Sequence, residues 1–577
     1  MTLLDVRELR VAYGDHVVVD GLTFSMQRGE SLGLVGESGA GKTQTALAIL
    51  GLLSPAATVS GSVAFDGTEL VGADDRTLDA VRAVGIAMVF QDPADALNPY
   101  VTIGAQLTRI LIAHGLARGR EAEARVREML ASVGLPDPDR QYRAYPHQLS
   151  GGMRQRAMIA SALITGPALL IADEATTALD VTVQAQILQL LDSIRRDTAM
   201  LMITHDLGVV AGHCERMLVL RDGRTVESGA TADVFASPAD PHTQAMLAAA
   251  PRLRPAAAPA PVSDELRLSV EAARVTWDGR VRAVNGVDLA VRSGETLAIV
   301  GESGSGKSSL ARAILGLADE HEGRYRLGVE TLPHSLRQRP PAQRLAMQLV
   351  FQDPMGSLDP QMTIADIVAE PLVVREPPPP RDERRRRAIA MLAEVGLDAV
   401  FGDRYPHQLS GGQAQRVAIA RALIVEPSLL ICDEAVAALD GTVREQILAL
   451  LRDIQSRTGL SMLFISHDLG VVSSISHRVV VMYLGRIVES ADCETLFRSP
   501  KHPYTRALID AVPLPEPAAS RPQPLGGEVP SPLTPPPGCV FHPRCRHAEP
   551  RCAEREPLLD DVDATAVRCI RARELTL

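Results

Sequence analysis

Short runs without polar alternation recur along the chain: SLGLVG at 31–36, TLAIVG at 296–301, LLIAD at 169–173 and LLICD at 429–433. A strand covered on both faces has this unbroken pattern, whereas a strand with one wet face alternates. The first two runs each lead into a glycine loop and then into helical spacing, TQTALAILGLL from Thr43 and SSLARAILGLA from Ser308. Strand, loop and helix in that order predict an α/β nucleotide-binding fold with a mainly parallel sheet.

The same rhythm occurs twice because the chain repeats itself. GESGAGKT (36–43) returns as GESGSGKS (301–308), MVFQDP (88–93) as LVFQDP (349–354), and YPHQLSGG (145–152) as YPHQLSGG (405–412). LLIADEATTALD (169–180) and ITHDLGVV (203–210) likewise return as LLICDEAVAALD (429–440) and ISHDLGVV (465–472). Matches kept in one order mean duplication. The first copy is assigned to 1–250 and the second to 265–513, joined by a Pro/Ala linker at 251–264 that cannot build a core. A proline-rich region, 514–577, follows and is expected to be small and irregular.

Length and composition narrow the function. A chain of 577 residues, 46% apolar, has room for several domains with cores of their own. No apolar run is long enough to span a bilayer, and the opening MTLLDVRELRVAYG lacks the pattern of a secretory signal, so a cytosolic protein held at a membrane only by partners is expected. A net charge of -11 disfavours nonspecific nucleic-acid binding. The basic run RDERRRR (381–387) carries acids of its own and reads as a solvated helix start. Lysine occurs only at 42, 307 and 501, while arginine fills every other basic position.

Two of those lysines close G-x-x-x-x-G-K-[ST] loops. In the first, Gly36, Ser38, Gly39 and Gly41 precede Lys42 and Thr43; in the second, Gly301, Ser303, Gly304 and Gly306 precede Lys307 and Ser308. Such loops turn backbone N–H groups toward phosphate oxygens at a helix N-terminus, the lysine reaches the outer phosphates, and the hydroxyl of Thr43 or Ser308 binds Mg²⁺. Asp173 and Asp433 end apolar strands where a carboxylate can hold Mg²⁺ or its water, and Glu174 and Glu434 are candidate bases for the attacking water.

With these motifs the chain resembles the ATP-binding cassette (ABC) family over about 500 residues. LSGGM (149–153) and LSGGQ (409–413) look like its signature, which implies that Ser150, Gly151 and Gly152, and Ser410, Gly411 and Gly412, bind the γ-phosphate held by the opposite cassette. The resemblance also implies that Gln91 and Gln352 join Mg²⁺ and link the nucleotide to the membrane partner. It implies that His205 and His467 contact the γ-phosphate and that Tyr13 and Trp277 stack on adenine. The cassettes would face head to tail, the Lys42 site using Ser410 and the Lys307 site Ser150. Both sites are expected to hydrolyse ATP; Val436 and Ala437 replace hydroxyl residues in the segment leading to the interface loop, a departure with which unequal turnover would be compatible.

FQDPADALNP, FQDPMGSLDP and the segments SPADPHTQAML and SPKHPYTRALI resemble the ATPase subunits of bacterial dipeptide, oligopeptide and nickel importers. That implies two integral-membrane permease subunits docking near 92–148 and 353–408, and an extracytoplasmic peptide-binding protein. A ribosome- or DNA-acting tandem ATPase is disfavoured by the short linker, and a sugar-importer ATPase by two complete sets of motifs.

Four of seven cysteines, Cys539, Cys545, Cys552 and Cys569, fall in the last 39 residues, counted from Cys539. Their C-x5-C-x6-C-x16-C spacing fits neither the short zinc pattern nor the ferredoxin runs, which leaves the metal open. The resemblance of GCVFHPRCRHAEPRC to the peptide-importer C-terminal region implies a [4Fe–4S] cluster, with zinc the alternative. Cys214, Cys432 and Cys493 read as core or surface thiols.

Overall fold

The computed structural model describes residues 2–176, 179–194, 198–250, 252–253, 262–437, 439–517 and 524–577, with backbone alone at 94 and 95. Most of the linker, together with Thr177 of the EATTALD segment, lies outside the described residues. The unbroken apolar runs are central strands. In the first copy Ser31–Gly36 lies between Ala199–Thr204 and Arg216–Arg221, and Leu169–Asp173 and Ile86–Val89 continue the sheet, all parallel. Arg224–Ala230 adds an antiparallel edge.

A four-stranded antiparallel sheet, built from Thr2–Tyr13, His16–Gln27, Ala57–Phe65 and Thr68–Glu69, packs over one face. Helix Lys42–Ile49 adjoins both layers, with Ala46 and Ile49 buried among Leu9, Leu32, Leu34 and Val63. The other face of the parallel sheet is buried against the helices. Because both faces are covered, strand residues such as Leu169, Leu170 and Ile171 stay apolar at consecutive positions.

The second copy repeats this plan, with Thr296–Val300 in the middle of its sheet and helix Lys307–Leu315 after the glycine loop. In both sheets the acid ends its strand in register with the neighbour, Asp173 opposite Ile203 and Asp433 opposite Ile465. The acids therefore emerge at the carboxyl edge, beside the glycine loops, where open α/β sheets bind ligands.

Helices fill the interval between each Gln and its LSGG segment: Ile103–Ala113, Gly119–Ser132 and Pro138–Arg143, then Ile364–Ala369 and Arg381–Glu394. The basic run occupies the exposed first turns of the last of these, where Arg385 pairs with Asp403 and Arg387 with Glu383, the solvated start its composition predicts. Among the described residues no helix is long and apolar enough to cross a membrane.

The tail departs from the irregular form expected of it. Its strands Asp560–Val562 and Thr565–Val567 form a hairpin that joins the second sheet through Glu489↔Val567 and Ser490↔Ala566, giving eight strands. Proline content hid this, because the hairpin lies beyond the proline-rich stretch and uses the free edge of Arg486–Asp492. On its way there the chain touches the first copy: the Gln186 amide Nε2 donates to Leu525 O at 2.6 Å, and a Cβ on Gly208 would stand 2.4 Å from Pro513 O.

Candidate nucleotide sites

Each phosphate loop closes on a glycine that no other residue can replace without displacing the backbone. Gly41 (φ +94°) and Gly306 (φ +102°) cap the helices that begin at the lysines. An added Cβ would come within 2.7 Å of Val18 O in one and 2.1 Å of Ala283 O in the other. The buried Lys42 Nζ donates to Gly36 O and Glu37 O, both at 2.8 Å; Lys307 Nζ donates to Gly301 O at 2.8 Å and Glu302 O at 3.0 Å. Burial lowers both ammonium pKa values, against the pull of nearby carboxylates including Glu174, Asp173, Glu434 and Asp433.

The hydroxyls and strand-end acids meet as the motif spacing predicts. Ser308 Oγ donates to Asp433 Oδ1 at 3.0 Å, and the Thr43 hydroxyl bonds Asp173. Burial pushes Asp173 up to about 6, opposed by that hydrogen bond, and pushes Asp433 up in the same way. A divalent cation would reverse this by favouring the carboxylates.

Glu174 and Glu434 have φ of 46° and 51°, a left-handed conformation that a non-glycine residue holds at a cost of roughly 1–3 kcal/mol. Each is gripped from two sides. Gln91 Nε2 donates to Glu174 Oε2 at 2.8 Å while His205 Nδ1 lies 3.2 Å from Oε1. Gln352 Nε2 donates to Glu434 Oε2 at 2.6 Å while His467 Nδ1 lies 3.4 Å from Oε1. Burial pushes Glu434 up, but the hydrogen bond and charge of His467, with Lys307, outweigh it and hold the carboxyl below its ordinary value. For His467 burial is likewise outweighed by Glu434, and its pKa rises. Each member of the pair thus favours the charged form of the other, an arrangement suited to orienting a water.

Tyr13 and Trp277 anchor to the same helices two residues past the lysines: Tyr13 Oη donates to Gln44 Oε1 at 2.8 Å and Trp277 Nε1 to Ser309 Oγ at 3.1 Å. Ser150 and Ser410 are N-caps, accepting from Met153 N and Gln413 N at 3.3 Å. Only the second closes a reciprocal box, because Gln413 reaches back to Ser410 N at 3.0 Å. A Cβ at Gly151 or Gly411 would meet open space, whereas one at Gly152 or Gly412 would press on Val183 or Val443 at 2.9 and 2.6 Å.

The copies meet at a cavity of about 550 Å³ lined by Lys42, Thr43, Gln91, Glu174 and His205 of the first and Gln352, Glu434, Asp440 and His467 of the second. Neither signature serine is among its lining residues. The loops after the acids cross the seam instead. Asp180 Oδ2 accepts from Ser303 N at 2.8 Å, Thr182 Oγ1 donates to Glu302 Oε1 at 2.5 Å, and Thr442 Oγ1 donates to Glu37 Oε1 at 2.7 Å. Sequence reasoning passed over Glu37, Glu302, Thr182 and Thr442, although the repeated GES and LD-x-T segments carried the signal.

The tail thiols are mutual neighbours. Burial first, and the other thiols after it, push Cys569 up to about 11, and Cys539 and Cys545 move the same way. Cys539 N donates to Cys552 O at 2.8 Å. Among the described residues, however, no group of three or more His, Cys, Asp or Glu side chains is arranged to hold a metal ion. Four sulfurs suit a cluster as a donor set, but they do not form a closed ligand shell. Cys214, Cys432 and Cys493 are buried, as core thiols are.

Comparison with known proteins places this geometry. The ABC transporter family matches residues 19–177 and 284–437, and the oligopeptide/dipeptide transporter C-terminal region matches 226–271 and 488–552. The peptidoglycan transport ATP-binding protein YejF of Agrobacterium fabrum is 44% identical, over 88% of this chain and 96% of its own. The glutathione import ATP-binding protein GsiA of Escherichia coli K12 is 42% identical, over 90% and 91%. A dimeric ATP-binding cassette solved in a post-hydrolysis state with ADP and phosphate is 29% identical, covering 39% of this chain and 98% of that one, with a TM-score of 0.36. With two phosphate loops, two strand-end acid pairs and these matches along most of its length, the chain belongs to the ABC transporter ATP-binding family.

Proposed function

We propose that this chain is the ATP-hydrolysing subunit of an importer for di- and oligopeptides, working at the cytoplasmic face of the membrane with one ATP for each P-loop. The observation that carries the reading is the twin Gln–Glu–His arrangement beside a buried P-loop lysine, set in a seam that both cassettes line. Lys42 and Lys307 would neutralise the outer phosphates. Thr43 with Asp173, and Ser308 with Asp433, would hold Mg²⁺, with Gln91 and Gln352 completing the set. Glu174 and Glu434 orient the attacking water, with His205 and His467 on the γ-phosphate. Closure of the seam would carry Ser410 to the Lys42 site and Ser150 to the Lys307 site, and Tyr13 and Trp277 would flank adenine.

Support for a peptide cargo comes from relatives named for glutathione and peptidoglycan transport and from the match to the peptide-transporter C-terminal region. Exposed apolar side chains between each Gln and its signature, Tyr100 and Ile112 in one cassette and Met355, Val373 and Val400 in the other, suit two permease subunits. An extracytoplasmic binding protein would deliver the peptide. The four tail thiols, which form no closed ligand shell among the described residues, would have to draw together to ligate a structural iron–sulfur cluster, and no step of ATP hydrolysis runs through it. Iron and sulfide measured on anaerobically purified protein decide that point, since stoichiometric zinc without iron rejects it.

The functional test is reconstitution with the two permeases in proteoliposomes. ATPase activity is expected to rise with a peptide-loaded binding protein and to stay flat with the nickel-loaded one of a nickel system. Stimulation by nickel alone would overturn the peptide assignment.

A further inference from the structure

Glu302, inside the second P-loop, is 3% exposed and is held by three parts of the chain at once. Arg544 of the C-terminal tail grips it with both arms of its guanidinium, Nη1 to Oε2 at 2.6 Å and Nη2 to Oε1 at 2.9 Å. Thr182 of the first cassette donates to the same Oε1. Tyr504, from helix Pro503–Asp510, accepts the Glu302 backbone N–H at 2.9 Å. Arg544 is itself only 3% exposed along its side chain and lies within 3.4 Å of the Tyr483 hydroxyl. A forked, fully desolvated pair of this kind has one geometry, so it fixes the loop that bears it.

The first cassette is built differently at the same place. Glu37 receives Thr442 and borders a cavity of about 90 Å³ lined by Met246, Ala249, Val512 and Pro513. The residue matching Tyr504 there is His242.

We propose that Arg544 is a positioning residue of the Lys307 ATP site: its guanidinium fork holds Glu302, and with it the P-loop, against Thr182 of the opposite cassette, which makes the two ATP sites unequal. This rests on reading both P-loops as ATP sites. The Lys307 amine bonds the carbonyls of Gly301 and Glu302, so a displaced Glu302 would move the lysine and the loop amides that meet phosphate.

The test is photolabelling of the full chain with azido-ATP and Mg²⁺, followed by proteolysis and quantification of label in each cassette. Arg544→Met leaves Glu302 buried and uncompensated, so the double variant Glu302→Gln/Arg544→Met, with no lone charge, is the deciding protein. It is expected to melt as a folded chain, to need at least tenfold more azido-ATP for half-labelling of the second cassette, and to label the first as wild type does. Arg544→Lys, a point charge without the fork, is expected to recover only part of the affinity that Arg544→Met loses. Wild-type labelling of the second cassette by the double variant, or an equal loss in both cassettes, would overturn the positioning role. A wild-type chain that takes label in neither cassette would instead overturn the ATP-site reading beneath it.

Discussion

The two P-loops are GESGAGKT and GESGSGKS, yet their glutamates live in different surroundings. Glu302 is sealed under Arg544, Tyr504 and Thr182, whereas Glu37 meets Thr442 beside a cavity. The difference comes from residues 120 or more positions away; for Glu302 the most distant is Arg544, at 242. Near-identical loops thus give the chemistry, and distant chain segments give each site its stiffness.

The comparison breaks most sharply at the acids. Glu174→Gln and Glu434→Gln are each expected to slow hydrolysis at their own site by about 10²–10⁴-fold while ATP still binds. Steady-state ATPase assays of both variants check this, and unequal residual rates would show which site dominates turnover. Identical residual rates would mean that the clamp on Glu302 does not reach the chemistry.

Next in size are the loop glycines. Gly306→Ala drives a Cβ to 2.1 Å from Ala283 O and Gly41→Ala to 2.7 Å from Val18 O, both at positive φ. Each is expected to cost about 1–3 kcal/mol from conformation alone, with the larger fall in melting temperature for Gly306→Ala. Calorimetry of the two variants measures the gap.

A third contrast is a helix cap. Asp240 Oδ1 accepts from His242 N at 2.7 Å, but in the second cassette the buried imidazole of His502 accepts from Tyr504 N at 3.1 Å. Burial pushes the His502 pKa down to about 3 from 6.5. The folded chain keeps this ring neutral while the unfolded chain protonates it, so its stability is full above pH 6.5 and falls as pH drops toward 3. At pH 5 the loss is about 2 kcal/mol. Unfolding curves between pH 7 and 5 are expected to flatten in His502→Asn.

The smallest effect is expected at the seam threonines. Thr182→Val and Thr442→Val should each cost about 1 kcal/mol, read from denaturant midpoints. Coupling of Thr182→Val to Arg544→Met, with none for Thr442→Val, would sharpen the distinction between the two glutamates.

What could be read from the sequence was what lies close along it. Lys42 with Thr43, Asp173 with Glu174, and Ser150 as a cap are neighbours whose placement at a helix start or strand end follows from a few residues of context. The parallel sheet was readable because burial on both faces removes alternation, as in Leu169–Asp173. The hydrogen bond of Gln91 to Glu174, 83 positions apart, was not read from the sequence, where the family resemblance gave Gln91 only a place at Mg²⁺ and a link between the nucleotide and the membrane partner. Arg544 stayed hidden because an arginine among tail prolines looks like any solvated charge until the fold buries it. The hairpin Asp560–Val567 stayed hidden because a three-residue strand is held by its partner's edge, not by a pattern of its own.

Housing both halves in one polypeptide has a consequence for how such an engine can diversify. In a two-fold symmetric pair of identical subunits, every codon change appears at both catalytic pockets, and a harmful one cannot be diluted by an untouched twin. Here Tyr504 and His242 could drift apart independently, so one pocket can become a fixed fulcrum while the other keeps its freedom to move.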